Sequence, residues 1–175
     1  MAETSMSTWR ADMIRAKIDT RRETFMPWRK AMGEAREVMD RITAAVSETK
    51  DFQAAAECYS TDAVAVTPDQ GEITGRDAIA EYMRQLSDSF PDLRYEYLAK
   101  HESGNVAIDE GYVVGTNTES LPLPSGESIP ATGKQIRVRS CDVVTVEGGM
   151  AISHRFYFDQ TEFLSQLGLA PETPS

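Results

Sequence analysis

Ser153-His154-Arg155-Phe156-Tyr157-Phe158-Asp159-Gln160-Thr161-Glu162-Phe163-Leu164-Ser165-Gln166-Leu167-Gly168-Leu169 is the stretch whose reading decides the fold. Its first half is dense in aromatic residues and follows a Gly148-Gly149 turn, which predicts a strand. Its second half predicts a short helix, because Phe163, Leu164 and Leu167 share one face. Asp159 sits at the join. Asp159-Gln160-Thr161-Glu162 has the pattern of a capping box, with Asp159 as N-cap and Glu162 reaching back. A carboxylate at the end of a buried strand, beside aromatic rings, also suits a general acid/base. The two roles are compatible.

Upstream of this stretch the hydrophobic period changes once. Before about Leu93 it is helical. Arg29 to Thr49 carries Ala35, Val38, Met39, Ile42 and Val46 at spacings of three and four. Asp51 to Tyr59 predicts a second, short helix with Asp51 as N-cap. Ala63 to Thr67 and Glu72 to Gly75 predict two brief strands about a Pro68-Asp69-Gln70-Gly71 turn. Asp77 to Phe90 predicts a third helix, buried through Ile79, Met83 and Leu86 and stopped by Pro91. Beyond it the period is two. Leu93 to Lys100, Asn105 to Asn117, Gln135 to Val146 and Ala151 to Phe158 predict long strands. Thr118 to Lys134, rich in proline and glycine, predicts a long loop of the lid or binding type. Helices followed by a run of long strands predict an α+β fold, an antiparallel sheet covered by helices on one face.

At 175 residues the chain is long enough for one domain with its own core. The net charge of −10 argues against a nucleic-acid partner. No run of about 18 apolar residues suggests a membrane span, and the N-terminus lacks a signal-peptide pattern. Cys58 and Cys141 read as free thiols, which suits the cytoplasm. With His101 and His154 as the two histidines, no metal-ligand spacing arises, and no metal is expected. Residues 1–28 read as a helical arm with a basic excess, including a helix over Thr4 to Arg22 broken at Phe25-Met26-Pro27-Trp28. The domain proper is read as 29–169 and a tail as 170–175. Strands Asn105 to Asn117 and Gln135 to Val146 are apolar on both faces, which predicts a homodimer through the outer face of the sheet.

The order of elements resembles the nuclear-transport-factor-2-like fold, a curved sheet wrapped around helices to form a cone-shaped pocket. Local patterns sharpen the resemblance. Tyr59-Ser60-Thr61-Asp62-Ala63, Gly75-Arg76-Asp77-Ala78-Ile79 and Phe90-Pro91-Asp92 resemble the first half of SnoaL-like polyketide cyclases and related ester cyclase domains. Gly115-Thr116-Asn117-Thr118, Pro130-Ala131-Thr132-Gly133-Lys134, Tyr157-Phe158-Asp159 and Gln166-Leu167-Gly168-Leu169 resemble the second half. The resemblance implies an interior pocket for an apolar, oxygenated small molecule. It also implies acid/base chemistry without metal or organic cofactor, of the aldol-cyclisation or isomerisation type. Binding or dimerisation without catalysis is the alternative, and epoxide hydrolase or ketosteroid-isomerase-type chemistry on the same cone is a third. By resemblance the acid/base position is Asp159. The cyclases also use a nearby histidine, for which this chain offers His154, five residues upstream. Alternation along a strand puts His154, Phe156 and Phe158 on one face and Arg155, Tyr157 and Asp159 on the other.

The remaining polar candidates each have two readings. Tyr157 suits a donor to a developing oxyanion or a core aromatic. Arg137 and Arg139 suit an anion grip or the outward face of a strand. Asp142 suits a second pocket acid or a strand residue paired with an arginine. Tyr95, Tyr97 and Tyr112 suit the cavity wall or cross-strand packing. Asn117 stands where the family often has histidine, and is a candidate for substrate binding.

Overall fold

The computed structural model describes residues 33–123 and 125–169. The expected arm over 1–28 and the tail over 170–175 lie outside the described residues. Helix α1 spans Glu34–Ala44 and continues as a π-helical turn over Ala45–Thr49. Helix α2 follows at Phe52–Glu57, then strands β1 (Tyr59–Thr67) and β2 (Gly71–Thr74) and helix α3 (Arg76–Ser89). Strands β3 (Arg94–Ser103) and β4 (Val106–Thr116) precede a small hairpin of β5 (Leu121–Pro122) and β6 (Ser128–Ile129). Strands β7 (Gln135–Glu147) and β8 (Met150–Phe158) lead into helix α4 (Gln160–Leu167).

Six strands form one sheet in the order β2-β1-β8-β7-β4-β3. All neighbours are antiparallel except β1 and β8, which are parallel. The expectation of a wholly antiparallel sheet is corrected at that one pair. A parallel pair needs a long crossover rather than a hairpin, and the chain between β1 and β8 supplies it. Register shifts at Tyr59/Val64, Tyr97/Ala99 and Thr145/Val146 add local bends to three strand pairs. Helices α1 and α3 pack on one face of the curved sheet.

The helices form where the sequence pattern put them. Helix α1 buries Ala35, Val38, Met39 and Ile42, the stripe read from spacing. Thr43 Oγ1 bonds the Met39 carbonyl (3.1 Å) and Thr49 Oγ1 bonds the Ala45 carbonyl (3.2 Å). Such back-bonding competes with the regular ladder. Between those two threonines the helix widens to the π form, ended by Lys50 at φ 54. Asp51 caps α2 through the Ala54 N–H at 2.9 Å. The expected helix over Asp51 to Tyr59 ends two residues early, because Tyr59 opens β1, fully buried.

Two core clusters fill the space under the sheet. One joins α1 and α3 to β1, β7 and β8 through residues such as Val38, Met39, Tyr59, Ile79 and Val144. The other, around Phe90, Leu93, Ile136, Val138 and Leu167, closes the end where α4 folds back. Gly111 in β4 lets the Tyr95 ring lie against the backbone. A methyl group there would meet Tyr95 Cε1 at 2.5 Å and collide with the Glu96 carbonyl oxygen. Close approach of this kind is a recurrent reason for glycine inside a strand.

Candidate functional site

Between the sheet and the helices lies an interior cavity of about 150 Å³. Its walls are mostly apolar. Helix α1 and the π turn contribute Met39, Ile42 and Val46, α3 contributes Met83 and Leu86, and β7 contributes Ile136 and Val138. Aromatic rings from β8 and α4 (Phe156, Phe158 and Phe163) form another wall. Among these apolar groups a few polar ones converge from β4, β7 and β8: Asp109, Ser140, Asp142 and His154. An apolar cavity with few convergent polar groups is the usual form of a small-molecule site.

The two aspartates lie directly opposite one another on β4 and β7. Their partners differ. Asp109 is 1 % exposed and takes the Arg36 guanidinium in a fork, at 2.5 and 3.0 Å. Arg36 also bonds Asp40 at 3.0 Å, and Asp40 in turn holds Lys100 at 2.8 Å. Among the described residues Asp142 meets no cation. The Ser140 hydroxyl donates to it at 2.8 Å. Burial pushes the Asp142 carboxyl up to about 7, partly offset by the Ser140 bond and reinforced by the charge of Asp109. A carboxyl poised near neutrality can take up or give a proton at little cost.

His154 is 2 % exposed. Its Nδ1 lies 2.6 Å from the Tyr59 hydroxyl, and its ring stacks on Phe156 at 3.8 Å between centroids. Burial lowers its pKa to about 3, so the imidazole is neutral. Its Nε2 is buried with no hydrogen-bond partner among the described residues. Tyr95 also reaches the cavity wall, but its hydroxyl is already committed to the Asp109 and Ser140 carbonyls at 3.1 and 3.0 Å.

The other sequence candidates sit elsewhere. Asp159 and Tyr157 are on the outer side of the sheet, Tyr157 at 53 % exposure. Alternation along β8 turns them away from the cavity that holds His154, Phe156 and Phe158. They line an open outer groove with Tyr112, Arg137 and Arg139. The placement of Asp159 in the interior pocket is therefore corrected. Asp159 instead caps α4, its carboxylate accepting the Glu162 N–H at 2.9 Å. Arg137 stacks over the Tyr112 ring at 3.4 Å and pairs with Glu96 at 3.1 Å. Arg139 and Tyr112 share that outer face, so none of the three reaches an interior ligand. Tyr97 packs against Tyr95 with tilted rings, 4.8 Å between centroids, and does not line the cavity.

Asn117 is fully buried, yet it is not part of the cavity wall. Its side chain donates to the Ser89 and Glu119 carbonyls and accepts from the Thr132 N–H and hydroxyl, at 2.7 to 3.3 Å. It thus ties together the two ends of the loop carrying β5 and β6. Leu121 of that hairpin lines the cavity, so the loop covers part of its wall.

The capping role of Asp159 gives a direct expectation. Asp159→Asn keeps the N-cap and should cost only about 0.3–1 kcal/mol through the lost dipole interaction. Asp159→Ala should cost about 0.5–2 kcal/mol. Thermal melting of both variants checks this. Equal losses in the two would mean that the charge, not the cap, is what matters.

Among the described residues no three His, Cys, Asp or Glu side chains gather as metal ligands, and no helix is long and apolar enough to cross a membrane. The curved sheet wrapped over helices, with its cavity inside, is the nuclear-transport-factor-2-like architecture. A candidate SnoaL-like polyketide cyclase from Jannaschia superposes with a TM-score of 0.68 at 15% identity, covering 79% of this chain and 94% of the other. A protein of ketosteroid isomerase-like fold from Catenulispora acidiphila, in complex with trimethylamine, gives 0.62 at 18% identity, covering 79% and 98%. An LEH-like epoxide hydrolase from M. tuberculosis gives 0.58 at 17% identity, covering 77% and 89%. At such identities the likeness concerns the fold. The sequence profile of the SnoaL-like domain matches residues 39–154, and the chain belongs to that family. The sequence matches no curated protein.

Proposed function

We propose that the interior cavity binds an apolar, oxygenated small molecule and carries out acid/base chemistry on it, of the aldol-cyclisation or isomerisation type, with Asp142 as the acid/base. The observation that carries this reading is the division of labour between two facing aspartates. Asp109 is gripped by the Arg36 fork, while Asp142 meets no cation among the described residues and lines an apolar cavity. Burial raises the Asp142 carboxyl to about 7, which suits an acid/base working near neutral pH. As a carboxylate, Asp142 would take a proton from a carbon beside a carbonyl group. The resulting enolate carbon would attack an electrophilic carbonyl carbon, and the alkoxide so formed would recover the proton from Asp142. The apolar walls keep water from competing for the enolate.

Deuterium exchange tests the reading without the natural substrate. The probe is 2-acetylcyclohexanone, whose carbon-bound proton lies between two carbonyls. In D₂O the wild-type protein should speed its exchange, followed by proton NMR, and Asp142→Asn should lose about 10²-fold or more of that acceleration. Melting of the variant verifies that it folds. An Asn variant that exchanges the probe at the wild-type rate removes Asp142 from the chemistry. A wild-type protein that binds the probe without exchanging it would favour the alternative, a ligand-binding module on the same fold.

A further inference from the structure

We infer that His154 is a fixed hydrogen-bond donor in the cavity, through an Nε2–H set by Tyr59, and that it selects ligands presenting a neutral acceptor oxygen, a ketone or ester carbonyl. The inference rests on the cavity being the ligand site, as proposed above, and adds the class of group that the cavity takes.

Hydrogen-bond accounting fixes the tautomer. A neutral imidazole has one donor and one acceptor nitrogen. The pair at 2.6 Å joins the Tyr59 hydroxyl to Nδ1. The Tyr59 hydroxyl makes no other hydrogen bond among the described residues. If Nδ1 carried the proton, it would donate to the phenol oxygen. The phenol O–H would then have no acceptor, and Nε2 would present an unmatched lone pair, leaving two buried groups unsatisfied. If instead the phenol donates to Nδ1, only the Nε2–H lacks a partner. Each buried unsatisfied group is costly, so the second arrangement prevails. It places the ring proton on Nε2, the nitrogen with no partner. Tyr59 is not part of the cavity wall, whereas His154 is. With Nδ1 turned to Tyr59, Nε2 is the nitrogen left for a ligand. Stacking on Phe156 at 3.8 Å and on Tyr59 at 6.0 Å holds the ring plane.

The rest of the cavity decides which acceptor fits. A carboxylate ligand would need a cation. Arg94 is the one basic residue of the wall among the described residues, and it is half-exposed and tied to Glu96 at 3.0 Å. Arg36 is engaged by Asp109 and Asp40. A cationic ligand would bring further donors, and the Nε2–H, itself a donor, cannot satisfy them. A neutral carbonyl oxygen satisfies Nε2–H without bringing in a charge. In the chemistry proposed for Asp142, that oxygen is where enolate charge would develop, and a fixed donor aimed there stabilises it. His154 touches the ligand in this scheme, and Tyr59 is a positioning residue.

Two measurements test it. The first needs no ligand. Nitrogen-15 NMR of the histidine side chains should show His154 with a protonated, pyrrole-type Nε2 and a bare, pyridine-type Nδ1 from about pH 5 to 8, the span in which an ordinary histidine changes charge. Tyr59→Phe should lose that fixed pattern. A proton on Nδ1, or a doubly protonated ring, overturns the inference. The second uses 2-decalone and decalin, a ketone and its parent hydrocarbon, with binding read from the methyl signals of the wall residues Met39 and Met83. His154→Phe keeps an aromatic ring in the stack and removes the donor. The preference for decalone relative to decalin should fall about tenfold from its wild-type value, the worth of one buried hydrogen bond. If both probes bind and the ratio is unchanged in the variant, His154 is not the donor and this inference fails while the binding site stands. If neither probe binds the wild-type protein, the binding site and this inference fall together.

Discussion

Replacing Arg36 by leucine should destabilise the protein by about 3–5 kcal/mol, because it strands a buried carboxylate without its cation. Asp109 is 1 % exposed, and the Arg36 fork is the only cation it meets among the described residues. The fork also fastens α1 to β4, so its loss weakens the packing of helix on sheet. The double variant Arg36→Leu/Asp109→Leu should recover most of the loss, since a buried ion pair and its apolar replacement are often close in free energy. Urea unfolding of the two variants and the wild type measures the difference. A single variant that loses less than about 1 kcal/mol would mean that the pair is open to water and behaves as a surface bridge.

The second large effect concerns pH. The Asp142 carboxyl is raised from 3.8 to about 7. Its contribution to stability is therefore full below the unfolded value and is lost as pH rises through 7. His154 is lowered from 6.5 to about 3. Its contribution is full above 6.5 and is lost as pH falls through 3. Between about pH 4 and 6.5 the two slopes have opposite signs and nearly equal size, so the wild-type profile should be almost flat in these two groups. Removing either exposes the other. Relative to wild type, Asp142→Asn should gain stability from pH 4 to 6.5, and His154→Phe should lose it, each by about 3–4 kcal/mol across the window. Unfolding curves at several pH values read both slopes. Parallel profiles for wild type and either variant would show that the substituted group is not buried as described.

The fold was legible in the sequence because its signals are local. The stripe Ala35, Val38, Met39 and Ile42 has a helical period, and it is the buried face of α1. The switch to a period of two after Leu93 marks where the long strands begin. What local pattern could not give was partnership across the sheet. Nothing near Tyr59 announces that β1 lies parallel to β8, and the parallel pair escaped a reading built on hairpins. The candidate site was less legible for the same reason. Alternation along β8 separated His154 from Asp159 correctly, but it does not say which face is inside. The cavity-facing side of β8 turned out to be the histidine side, and the acid that shares it comes from β7. Asp142 was visible as a pocket acid or as an arginine's partner. The choice between them depended on Arg36, distant in sequence, taking Asp109 instead. Asn117 shows the limit of motif analogy, because its position in the pattern suggested ligand contact while its hydrogen bonds serve the backbone.

Asn117 gathers the two ends of the 118–132 segment at a single neck, and this has a bearing on how such a protein diversifies. Doubling the length of a loop whose ends are already held costs only about 0.6 kcal/mol in closure entropy. The segment is thus a cassette. Its tip can lengthen, shorten or change composition while the sheet and helices keep their register, provided that the asparagine and its Ser89 and Thr132 partners remain. Leu121, carried on that cassette, touches the cavity wall. A lineage, or an engineer, can therefore retune what enters the cavity by exchanging a surface loop, and leave the buried acid and histidine untouched.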